Sequence, residues 1–183
     1  MQDFNKIASI LHKKLSSEII DIFLIGSSLK NKIVPEDLDI IVLFRNNNLD
    51  KAGECLFDIK ESLNIKNLHI EPLFADSMLH EGIFSTILHE GFSIREKKYL
   101  SELLGVKSYS IFYFNLEHLE RIDKVRFAQA LYGRKKDGLL YSEKGISLGN
   151  GSFMAPVARE EIFKEMMKKW KVNYKHKRAF VSD

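Results

Sequence analysis

The run FLIGSSLKNKIVPEDLDIIVLF, residues 23–44, constrains the fold more than any other stretch of the chain. Two β-prone segments, 23–25 and 40–44, flank a polar loop that contains Pro35. The second segment opens on Asp37 and Asp39. Side chains alternate across a strand, so these two carboxylates face the same way. Like charges side by side at the edge of a core cost free energy unless something neutralises them. Magnesium does this well, because it takes hard oxygen ligands and keeps positions open for water and phosphate oxygens. Upstream, Gly26 and Ser27 follow the first strand. A glycine there lets the backbone approach a phosphate, and free N–H groups at a turn or helix start point at an anion.

The flanking pattern predicts an α+β first unit. Phe4, Ile7, Leu11 and Leu15 recur at helical spacing, giving a helix over 3–16. Strands are expected at 19–25, 39–44 and 68–74, with a helix at 52–63 between the last two. A further helix is expected over 77–91, capped by Ser77 and stopped by Gly91, then a short extended segment at 92–95 and a helix at 99–104. Glu71 lies mid-strand in LHIEPLF, next to Pro72, which has no N–H for a neighbouring strand and so places this run at a sheet edge or a bend. Glu71 either completes a three-carboxylate set with Asp37 and Asp39 or points to solvent. His69 shares its strand face and either borders the site or serves structure.

Composition narrows the class. The 183 residues are 45% apolar, enough for a core, and no apolar run approaches the roughly 18 residues of a membrane span. The first residues lack a signal-peptide layout, and the single cysteine, Cys55, makes no internal disulfide, so a cytoplasmic location is expected. Cys55 reads as a small core residue. The net charge of +3 conceals an asymmetry: residues 1–104 carry 12 basic and 16 acidic side chains, residues 105–183 carry 16 and 9. The chain therefore divides into a unit at 1–104 and a basic unit at 105–183.

The combination of Gly26-Ser27-Ser28 with EDLDIIV, and the closing ILHEGFSIRE, resembles the nucleotidyltransferase superfamily that includes DNA polymerase β, archaeal CCA-adding enzymes and the minimal nucleotidyltransferases. The resemblance covers about residues 3–104. It implies a mixed sheet with flanking helices and a magnesium-dependent enzyme, using two Mg2+ ions, that moves a nucleoside monophosphate from an NTP, ATP being the expected one, to an acceptor hydroxyl. Carried over residue by residue, Gly26, Ser27 and Ser28 would hold the triphosphate. Asp37 and Asp39 would bind both metals, and Glu71 would be the third carboxylate. Lys30 and Lys32 could touch the β- and γ-phosphates or remain solvated loop charges. Three departures stand out. Lys30-Asn31-Lys32 replaces the usual Arg-Gly pair, the spacer from Ser27 to Asp37 is short, and the third acid is Glu rather than Asp.

The sequence of the second unit, 105–183, does not by itself name a family. It reads as a small basic α/β domain: a strand at 109–114, a helix at 116–131 ending at Gly133, a basic turn GRKKDG, a strand pair or bent strand at 146–157, a helix at 159–170 and a strand at 172–181. Arg121, Lys124 and Arg126, the turn residues Arg134, Lys135 and Lys136, and the aromatic Trp170 are candidate RNA contacts, since phosphate neutralisation gives affinity and aromatics stack on unpaired bases. Tyr132 and Tyr174 are weaker stacking candidates, and each aromatic has a core or boundary role as its alternative. The leading expectation is nucleotidyl transfer to RNA. The alternatives are a protein-AMPylating antitoxin-type enzyme and a non-catalytic RNA-binding module.

Overall fold

The protein is described from a computed structural model in residues 4–25 and 38–182. The chain divides into two compact units, Met1–Gly105 and Val106–Asp183. No described helix is long and apolar enough to cross a membrane.

The first unit is α+β, with a mixed five-stranded sheet and flanking helices. Its elements are α1 (Phe4–His12), β1 (Ile19–Ile25), β2 (Leu38–Phe44), α2 (Leu49–Leu63), β3 (Leu68–Phe74), α3 (Gly82–Glu90), β4 (Phe92–Ser93), β5 (Lys98–Tyr99) and α4 (Leu100–Leu103). The strand order is β3-β2-β1-β4-β5. β1 runs antiparallel to β2 and β4, whereas β2 and β3 are parallel. β3 is an edge strand, the position in which Pro72 costs no ladder hydrogen bond.

β2 is apolar almost throughout because both its faces are covered. Leu38, Ile40, Val42 and Phe44 pack with residues of α1 and α2, including Ile7, Leu11 and Ile59. Ile41 and Leu43 pack on the other face with Leu73 of β3 and Ile87 of α3. α2 is bounded by its own chemistry: the Asn48 side chain accepts from Lys51 N–H, and Asn64 closes the helix in the left-handed region at φ 47°. Asp21, the only charge in β1, is buried. Its carboxylate accepts from the N–H groups of Ile22 and Arg95 and from the Ser93 hydroxyl at 2.5 Å, pinning β4 against an irregularity in β1. The Arg95 guanidinium in turn donates to the carbonyls of Ile19 and Ile20.

One element departs from its periodicity. The expected single helix over 77–91 is a short 3-10 turn at Met78–His80, an extended Glu81, and then α3. The Ser77 hydroxyl does not cap; it donates to the Phe74 carbonyl and closes the exit of β3. Gly91 does end α3, where a Cβ would lie 2.5 Å from the Ile87 carbonyl oxygen.

The second unit contains β6 (Lys107–Asn115), α5 (Arg121–Tyr132), α6 (Leu139–Ser142), β7 (Ile146–Gly149), β8 (Ser152–Pro156), α7 (Glu160–Lys169) and β9 (Asn173–Val181). Its sheet, β7-β8-β6-β9, is antiparallel in every pairing, so this unit too is α+β rather than the α/β expected. α5 starts five residues later than its apolar spacing suggests. The Asn115 side chain accepts from Glu117 N–H and turns the chain first, and Ile122 and Val125 are left exposed. A core of Phe112, Phe127, Phe153 and Phe163 joins one sheet face to α5 and α7, with the Phe112 and Phe153 rings stacked 4.9 Å apart.

Candidate active site

The described part of the site rests on the pairing of β2 with β3. In the parallel register Asp39 lies beside His69 and Ile41 beside Glu71. Residues two apart on a strand share a face, so Asp39, His69 and Glu71 all project to the same side, next to the apolar Ile41. The imidazole sits between the two carboxylates. His69 Nδ1 is 3.7 Å from Asp39 Oδ1, and Nε2 is 3.2 Å from Glu71 Oε1. All three side chains remain reachable by solvent, Asp39 at 44% and Glu71 at 47% exposure. Contacts this exposed add little stability.

β1 ends at Ile25, the Cα partner of Asp39. The chain thus leaves β1 directly beside Asp39. Gly26, Ser27, Ser28, Lys30, Lys32 and Asp37, the expected phosphate-binding residues and the first aspartate, lie outside the described residues. Among the described residues no three His, Cys, Asp or Glu side chains are grouped to hold a metal ion. The Asp39–Glu71 pair nonetheless fits magnesium chemically. It supplies hard carboxylate oxygens from two adjacent strands, the donor type magnesium takes, and a cationic group between them would relieve their repulsion.

The candidate RNA contacts of the second unit fall on its helical side. Arg121 and Arg126 are exposed on α5, with Arg126 3.7 Å from Asp123, while Lys124 is half-buried. Arg134, Lys135 and Lys136 are exposed in a turn that Gly133 permits at φ 72°; a Cβ there would lie 2.4 Å from Gly138 N. Asp137 ties this turn by accepting from Lys135 N–H, a bond that holds its carboxyl below the usual range. Trp170 is half-buried, edge-on to Phe127 with centroids 6.0 Å apart, and Tyr174 packs beside Phe112. Much of both rings is spent on the core.

One charged cluster escaped the sequence reading. Glu160, at the start of α7, is 1% exposed. It accepts from Ser110, from Lys164 at 2.5 Å and from Arg178 at 3.0 Å, with His176 Nε2 3.5 Å away. Burial pushes its carboxyl up, but the hydrogen bonds from Arg178, Lys164 and Ser110 more than offset this and hold it at about 2. The Glu160–Lys164 spacing is visible as an i,i+4 pair, but nothing local shows that β6 and β9 will close around it. Burial first, and then Asp58, raise the Cys55 thiol above its ordinary range, which disfavours the thiolate.

No protein-family model matches the chain, and no match was found among curated proteins or solved structures.

Proposed function

We propose that the first unit is a nucleotidyltransferase domain that transfers a nucleoside monophosphate from a nucleoside triphosphate to a hydroxyl of an RNA acceptor. The observation that carries this reading is the convergence of Asp39 and Glu71 from adjacent parallel strands, beside the end of the strand that leads into Gly26-Ser27. Such an arrangement suits a reaction in which the acceptor oxygen bonds to the α-phosphorus while the bond to the pyrophosphate oxygen breaks.

Asp39 and Glu71 would hold magnesium together with Asp37. When bound, magnesium would neutralise the triphosphate and lower the pKa of the acceptor hydroxyl. Glu71, half-exposed on the outer strand, would take that hydroxyl's proton or act only as a metal ligand. His69 keeps the two carboxylates apart and oriented until substrate arrives. The choice of RNA as acceptor is supported by the excess of 16 basic over 9 acidic residues in 105–183.

The test is incubation with each α-labelled NTP, magnesium and a pool of small RNAs. Label should pass to RNA in the parent protein and not in Asp39→Asn. Label appearing only on protein would reject the RNA acceptor, and transfer undiminished in both Asp39→Asn and Glu71→Gln would reject the site.

A further inference from the structure

One face of the second unit's sheet packs under its helices. Ser110, Phe112 and Phe153 point into the core under the helices. Strand alternation sends Tyr109, Tyr113 and Asn115 of β6 to the other face, with Asn173, Lys175 and Lys177 of β9 beside them. Tyr113 pairs with Lys175, and Asn115 with Asn173. Tyr113 is 48% exposed, unusual for a tyrosine in an inner strand with a partner on each side. No Asp or Glu occupies this face of β6, β8 or β9. At its end Tyr113, Asn115, Asn150, Asn173 and Lys175 border an open pocket of about 390 Å3, room for a single nucleotide.

We infer that this face binds single-stranded RNA. One base stacks on Tyr113, the carboxamides of Asn115 and Asn173 meet its hydrogen-bonding edge, and Lys175 and Lys177 neutralise the neighbouring phosphates. Each part follows from the chemistry. A flat ring accepts any base, a carboxamide carries both a donor and an acceptor, and a face with lysines and no acids attracts a polyanion. The Asn115 oxygen is already held by Glu117 N–H at 2.6 Å, which fixes the carboxamide and turns its NH2 into the group offered to a ligand. A duplex cannot use the face, because its bases are stacked on one another. The inference rests on the proposed RNA acceptor and moves the contact surface from α5 and the 133–138 turn to the sheet.

The experiment measures fluorescence anisotropy of a 5′-labelled single-stranded RNA dodecamer, and of the same strand in a duplex, with the full chain. The single strand should bind at least about tenfold more tightly than the duplex, and Tyr113→Ala should weaken it about tenfold, whereas Tyr113→Phe should bind within about twofold of the parent. Lys175→Ala with Lys177→Ala should flatten the dependence of log K on log salt by roughly 1.4, about 0.7 for each phosphate contact. Parental affinity in Tyr113→Ala, or equal losses in the Ala and Phe variants, would overturn the inference. The two proposals fail separately. A protein that transfers nucleotide but binds RNA normally without Tyr113 loses only this surface. One that needs Tyr113 for RNA but never transfers nucleotide loses only the enzymatic reading.

Discussion

Glu160 should make the second unit acid-sensitive in a calculable way. Its carboxyl ordinarily titrates at 4.5 and is held at about 2 in the fold. The folded state therefore binds fewer protons than the unfolded chain between these values. The resulting stability is fully present above about 4.5 and is lost as pH falls toward 2. At about 1.4 kcal/mol per pH unit, the full contribution is about 3 kcal/mol, of which about 2 kcal/mol is gone by pH 3. The group is 1% exposed, so solvent screening takes little from this figure. The chain contains one tryptophan, Trp170, and it rests on Phe127 in the core of the second unit, so its fluorescence reports the unfolding of that unit. Urea titrations of the parent and of Glu160→Gln should be run at pH 7 and at pH 3. At pH 7 the variant should be less stable by roughly 3–5 kcal/mol, because Lys164 and Arg178 are left facing a neutral amide. That gap should narrow by about 2 kcal/mol at pH 3, since the variant has no carboxylate left to protonate. A gap of constant size at both pH values would refute the reasoning, for it would mean that the Glu160 charge contributes nothing to the fold.

Three further outcomes are expected. Glu71→Gln should lower the rate of transfer about 100-fold or more while changing the KM for NTP much less, as steady-state kinetics with α-labelled NTP would show. Ser93→Ala should destabilise the first unit by about 1–3 kcal/mol in thermal unfolding, because it strips a hydrogen bond from the buried Asp21 carboxylate. Phe153→Ala should cost the second unit about 3–5 kcal/mol in urea unfolding followed at Trp170, since the ring stacks on Phe112 and touches Phe163 in a fully buried site.

Helices and strands that bury one regular face were legible from periodicity alone. The helix 159–170 and strand 172–181 of the sequence reading correspond to α7 and β9 within a residue. Errors arose where side-chain hydrogen bonds override the apolar pattern. Asn115 turns the chain before α5 although Leu116 and Leu119 continue its spacing. Ser77 bonds backward to Phe74 rather than forward as a cap.

The same division separates what the chain's order of residues determines about the candidate site from what the fold adds. Alternation along one strand is a local property, so the sequence sufficed to put His69 and Glu71 on a common face, whereas Pro72 left an edge or a bend open and the sheet order decided for the edge. Which residues meet across strands depends on register and direction, and these are settled by how α2 packs the crossover and by which faces are buried. Only the parallel alignment of β2 with β3 set Asp39 beside His69 and brought both acids to one imidazole. Only the closure of β6 and β9 around α7 buried Glu160 among its cations and left Tyr113 on an open face. Contacts between residues dozens of positions apart carry no local periodicity, so they exist only once the tertiary structure has formed.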